Sequence, residues 1–140
     1  MTVDAISNVE GGLKTWLRDP LSPTYSLVGG RVFMGLPRGG PSTWPCLAIF
    51  RVGGGPTDGD YPKDSARIQI NVWDLPGQKR RCLQVTKALI TAVHDLACGT
   101  LLSDDVRVLG TYGITNMWLP DSDTGNSRYV VQFVIDTQAI

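Results

Sequence analysis

Ala66-Arg67-Ile68-Gln69-Ile70-Asn71-Val72-Trp73 is the stretch that decides the fold. Ile68, Ile70 and Val72 alternate with Arg67, Gln69, Asn71 and Trp73. That is the two-residue period of a strand with one face on a core. Asp74-Leu75-Pro76-Gly77 turns the chain, and the period then changes. Cys82, Val85, Leu89, Val93 and Leu96 recur at helical spacing, with Ala88 and Ala92 alongside and Lys79, Arg80, Arg81 and Lys87 on the other side. The pattern predicts an amphipathic helix over 78–96, with Gly99 as its C-terminal stop. A half-buried strand followed by a helix with a single apolar stripe packs that helix on one face of a sheet.

Working outward, Cys46 to Val52 holds the continuous apolar run Leu47-Ala48-Ile49-Phe50, as in a central strand. Gly53 to Asp64 has no hydrophobic periodicity and reads as a long exposed loop. Arg31 to Met34 reads as a short strand and Leu36 to Pro41 as an extended loop. Ile6, Val9, Leu13 and Leu17 share a helical face, so residues 4–18 read as a first helix capped by Asp4. Gly11-Gly12 weakens it, and Asp19-Pro20 and Ser22-Pro23 stop it. Val106–Leu119 and Ser127–Asp136 read as two final strands joined by a hairpin loop, Pro120–Asn126. The predicted fold class is α+β: a single domain over residues 1–140, with a mainly antiparallel sheet of four or five strands. Two helices pack on one face, in the order α-β-β-β-α-β-β.

Composition supports one globular domain. The chain has 140 residues, 42% hydrophobic and 19% charged. Sixteen glycines and nine prolines exceed the usual combined share of about 12% and predict many turns. Thirteen basic and thirteen acidic side chains cancel. That balance argues against clamping nucleic acid by bulk charge. No apolar run approaches the length of a membrane span, and the first 17 residues lack the apolar segment of a signal peptide. Cys46, Cys82 and Cys98 are widely spaced without a CxxC pair, so they are expected to be free thiols.

The residues offer no compelling catalytic constellation. His94 is the single histidine, near the end of the second helix, where its cation suits the dipole. No serine or cysteine sits in a nucleophile elbow. Gly53-Gly54-Gly55 is followed by Pro56-Thr57-Asp58 and not by the Gly-Lys-Ser/Thr of a phosphate loop. Asp58, Asp60 and Asp64 form one acidic group, and Asp121, Asp123 and Asn126 another. The second lacks the glutamate of a calcium loop, with Gln132 at that position. Solvated turns account for both groups better than a metal does. Lys79-Arg80-Arg81 opposes the dipole of the helix it begins, which points to a partner surface or simply to a solvated face. Trp73, on the polar face of its strand, and Trp118, beside the hairpin, are candidate interface aromatics.

One resemblance connects these segments. Leu27-Val28-Gly29-Gly30-Arg31-Val32-Phe33-Met34-Gly35-Leu36-Pro37 resembles a "VGGRIY-x-GLP" signature. Pro45-Cys46-Leu47-Ala48-Ile49 is similar to the strand that follows it. Ile68 to Asp74, leading into a helix near Gly77, is similar to an "L-x-V-D-V-W" strand and helix. In this order they resemble the tail-completion or tail-terminator proteins of long-tailed bacteriophages, over Ile6 to Asp136. The resemblance implies a structural virion protein with no catalysis, no cofactor and no bound metal. It implies a homo-oligomeric, six-fold ring at the head-proximal end of the tail tube. Such a ring stops tube polymerisation and docks the head connector or completion protein, and DNA passes through its lumen without specific binding. Interface residues then fall on the exposed loops. Asp58, Asp60, Tyr61 and Asp64 are expected to meet a neighbour or the tube, and Trp118, Asp121 and Asp123 an axial partner, with Trp73 a further interface aromatic. Deleting residues 54–60 is expected to abolish tail completion and leave the monomer folded. The competing readings are another head–tail joining protein, a metal-dependent hydrolase or nuclease built on Asp58, Asp60 and Asp64, and a module that binds by strand addition at its sheet edge.

Overall fold

A computed structural model describes residues 8–37, 40–57, 63–96, 98–103 and 106–139. The elements are α1 (Val9–Leu17), α2 (Tyr25–Val28), β1 (Val32–Phe33), β2 (Cys46–Thr57), β3 (Lys63–Asp74), α3 (Lys79–His94), β4 (Leu101–Ser103), β5 (Val106–Trp118) and β6 (Ser127–Ala139). Six strands form one sheet in the order β1-β2-β3-β6-β5-β4. β1 runs parallel to β2, and the other neighbours are antiparallel. β3 and β6 sit at the centre and join the two halves of the chain, with Ile70 opposite Val131 and Gln69 opposite Gln132.

The alternation in β3 divides the sheet into two faces. Ala66, Ile68, Ile70 and Val72 line one, with Leu47 and Ile49 of β2 and Val131, Phe133 and Ile135 of β6. α1 closes this face with Val9, Leu13 and Leu17, and α3 with Cys82, Val85, Leu89 and Val93. Each buried aliphatic side chain contributes about 1.5–3 kcal/mol by leaving water. The fold class is therefore the expected α+β, with the two main helices on one face. On the opposite face a smaller buried apolar cluster lies at one end. There Cys46, Ala48 and Trp73 pack beneath Phe33, Leu36, Trp44 and Phe50. Farther along it Gln132 donates to Gln69 Oε1 at 2.9 Å.

Several boundaries differ from expectation. The sheet gains a sixth strand, β4, and a short helix, α2, precedes β1. Asn8 caps α1, its side chain accepting from the Gly11 N–H at 3.2 Å. Asp4 and Ile6 lie outside the described residues. α3 ends at His94, so Gly99 does not stop it. Its N–H donates instead to the Val108 carbonyl at 2.7 Å and leads the chain toward β4.

The largest correction concerns the expected loop at 53–64. β2 continues to Thr57 and β3 begins at Lys63, with Gly54 opposite Ala66 and Pro56 opposite Asp64. Pairing with a strongly periodic strand overrides the weak strand propensity of the glycines. The register shifts between Arg51 and Gly53, and Gly54 takes φ +78° just beyond. A Cβ there would stand 1.9 Å from the Ser65 carbonyl oxygen, so this bulge requires glycine. The deletion of residues 54–60 would thus remove the paired strand residues 54–57.

Candidate functional site

The residues of the matched signature stretch are occupied with structure. Gly29 caps α2 at φ +57°. Arg31 donates from Nε to the Pro45 carbonyl at 2.8 Å and from Nη2 to the Leu27 carbonyl at 3.2 Å. It ties α2 to the start of β2 and is not presented to a ligand.

The expected acidic contact set divides. Asp58, Asp60 and Tyr61 lie outside the described residues. Asp64 is fully buried on the helix-covered face. Its carboxylate accepts from Arg51 Nη1 at 2.6 Å and Nη2 at 2.5 Å. These hydrogen bonds to the carboxylate hold the Arg51 guanidinium pKa above its ordinary value. Asp64 is thus an internal ion-pair partner and not an exposed contact or an available metal ligand. Extension of β3 through Lys63 explains the difference, because it carries Asp64 into the alternation of Ala66 and Ile68. Among the described residues no three His, Cys, Asp or Glu side chains converge as a metal site.

Trp73 also departs from expectation. It is buried in the smaller cluster, with Arg128 4.8 Å from its ring centroid. Two of the residues that cover it, Leu36 and Trp44, come from the segment between β1 and β2, whose sequence shows no periodicity. Its Nε1 is the one buried side-chain polar atom without a hydrogen-bond partner among the described residues. Trp118 lies on the helix side, half-buried, 4.9 Å from the Tyr129 ring centroid and under Lys79 Nζ at 4.9 Å. Lys79 is therefore occupied, and so is Arg81. The latter donates to Asp74 through Nε at 2.7 Å and Nη2 at 2.5 Å. Arg80 is exposed at the helix start.

The hairpin loop is a mostly exposed tip held by its own hydrogen bonds. Asp121 accepts from the Asp123 N–H at 3.2 Å and from Thr124 Oγ1 at 2.8 Å. These bonds lower the Asp121 pKa, the Thr124 hydroxyl contributing most. Asp123 is exposed. His94 is exposed at the end of α3, 3.4 Å from Asp95. Cys46 and Cys82 are buried and Cys98 is exposed. Burial pushes the first two thiols up to about 12, which keeps them protonated and inert.

Shallow grooves cross the surface of the described residues, two of them broad. One, of about 440 Å³, runs along α1 past Asn8, Lys14, Arg18 and Met34. The other crosses the helix-free face of the sheet around Arg67, Tyr112 and Val134 and reaches Val52 in a lobe of about 480 Å³. A second lobe of about 300 Å³ extends to Thr115 and Gln132. Neither gathers the nucleophile, base and oxyanion donors of an active site. Sequence reading placed Arg67 on the polar face of its strand but missed Tyr112. Register shifts between Val108 and Gly110 and between Tyr112 and Thr115 break the simple alternation of β5.

Comparison with known proteins adds to this geometry. Residues 20–137 match the sequence profile of the family described as Tail completion protein gp17. A comparison with curated protein sequences finds no match. A chain from the "Virion of native gene transfer agent (GTA) particle" superposes with a TM-score of 0.66 at 14% identity, covering 99% of each chain. At that identity the likeness concerns the fold alone.

Proposed function

The chain belongs to the tail completion protein gp17 family, and we infer from this that it is a structural protein of the phage virion. On that premise we propose that it assembles as a homo-oligomeric ring at the head-proximal end of the tail tube. The ring halts tube polymerisation and offers the docking surface for the head connector. The observation that carries this reading is the family match across residues 20–137. The geometry is compatible with it. Among the described residues, exposed groups lie in shallow grooves and an exposed hairpin tip, as in a protein that works by contact, and polar groups do not converge in a closed pocket. A ring also requires two unlike surfaces on each subunit, which meet by rotation. We assign no catalytic step, cofactor or metal to this role. DNA crosses the lumen without being held, in keeping with zero formal net charge.

Electron microscopy of lysates from phage carrying a stop codon at Trp16 tests the reading. Overlong tails without heads are the expected result. Tails of normal length without heads would identify a joining protein and overturn the terminator role. Intact virions would remove the protein from tail completion altogether.

A further inference from the structure

We propose that the helix-free face of the sheet is a subunit-docking surface, whose groove around Arg67 and Tyr112 receives the Pro120–Asn126 hairpin tip of a second copy of this chain. The inference rests on the ring reading and names the contact that closes the ring.

The groove has the composition of an interface centre. Tyr112 is 53% exposed and Val52 46% exposed, although both stand on a sheet face. Arg67 is exposed between them and has no ion-pair or hydrogen-bond partner among the described residues. Arginine and tyrosine are the residue types that most often dominate binding energy at interfaces, because each combines apolar area with directed hydrogen bonding. Thr115 and Gln132 extend the floor with neutral polar groups.

Charge selects the occupant. By cross-strand register, this face carries, among the described residues, Lys63, Arg67, Arg107 and Arg128 against a single acid, Asp136. Asp136 is already engaged by Lys63 at 3.2 Å and by the Ser65 hydroxyl. The chain as a whole is neutral, so the face is locally basic. The hairpin tip is the complement: it carries Asp121 and Asp123 and no basic residue. Its bonds from Thr124 and from the Asp123 and Gly125 N–H groups to Asp121 hold it in shape, which reduces the ordering cost of docking.

The tip cannot reach its own groove. It lies beyond Trp118, six residues along β5 from Tyr112, a separation of about 20 Å at the rise of a strand. Groove and tip are therefore two different patches of one surface. Their union between copies is heterologous, the kind of contact that a rotation closes into a ring.

Charge reversal in phage tests this. Arg67→Glu alone and Asp123→Arg alone should each reduce infectious yield about 100-fold and give overlong tails, since like charges then face each other across the contact. The double variant should recover most of the yield. A photo-crosslinking residue at position 112 should join a second copy at a peptide spanning Pro120–Asn126. Wild-type yield from Arg67→Glu would overturn the contact, as would a double variant no better than either single one. Crosslinks from position 112 to a different virion protein would also overturn it. The phenotype of the Trp16 stop codon is independent of these outcomes, so docking and tail completion fail separately. Circular dichroism melts of each purified variant, matching the parent, confirm that the readout is assembly. Were Arg67→Glu to melt early, Arg67→Gln together with the crosslink would carry the test.

Discussion

At Gly54 a single hydrogen atom decides whether two strands can pair. Its φ of +78° is a region that side chains with a Cβ avoid, and the Ser65 carbonyl stands where that Cβ would be. Relief requires moving backbone, because the obstructing atom is not the end of a flexible side chain. Gly54→Ala should therefore cost roughly 3 kcal/mol, the sum of a strained conformation and a disturbed ladder. Gly55 is the control: a Cβ there meets nothing within 4 Å. Gly55→Ala should stay within about 0.5 kcal/mol of the parent. Urea unfolding of the two variants checks both figures, and equal midpoints would show that the bulge is not a fixed feature. The same contrast shows the limit of composition. Three consecutive glycines read as flexibility, yet here the middle one is required by regular pairing around it.

Among the elements, α3 is held at its start by side chains that ought to disfavour it. Three cations oppose the helix dipole in the first turn, at a few tenths of a kcal/mol each. Arg81 offsets this by meeting the buried Asp74 at the end of β3, and Asp74 also accepts from the Leu75 N–H at 2.8 Å. Arg81→Ala leaves a buried carboxylate without its cation. It should cost about 2 kcal/mol, less than a fully buried pair because the arginine is 41% exposed. Arg80→Ala should be neutral or slightly stabilising by lowering the repulsion with the dipole. Thermal melts of the pair decide it, and equal effects would mean that Asp74 finds another partner. β3 and α3 were legible in the sequence because a clean period of two gives way to a period of 3.6 at one turn. The far half of β2 was not, since its pairing is dictated by β3 across the sheet. Tyr112 was hidden for a related reason: register shifts in β5 break the parity that a reader would count. Trp73 was placed on the correct strand face, but the cover supplied by Trp44 and Leu36 comes from a segment without periodicity.

Across the whole molecule, the strand order places β3 and β6, one from each half of the chain, side by side at the centre of the sheet, and stability follows from that. β3 and β6 each have a partner strand on both sides, and the helices cover their apolar face. β1 and β4 are short edges, paired at only two positions each. Opening an edge exposes little apolar surface, whereas separating β3 from β6 uncovers Ile68, Ile70, Val131 and Phe133 together. Native-state hydrogen exchange should therefore divide the molecule. The amides of Ile70 and Val131 should exchange only through global unfolding, with a denaturant dependence equal to that of the complete transition. The amides of β4 and of the hairpin tip should exchange through local opening that denaturant scarcely changes. Slow exchange at Gly55, near that of β3, would show that the extended end of β2 belongs to the cooperative unit. Fast exchange there would leave the β2–β3 ladder effective only above the bulge. The division matters for assembly, because local opening at the tip leaves the β3–β6 centre, and with it the groove on the central strands, undisturbed.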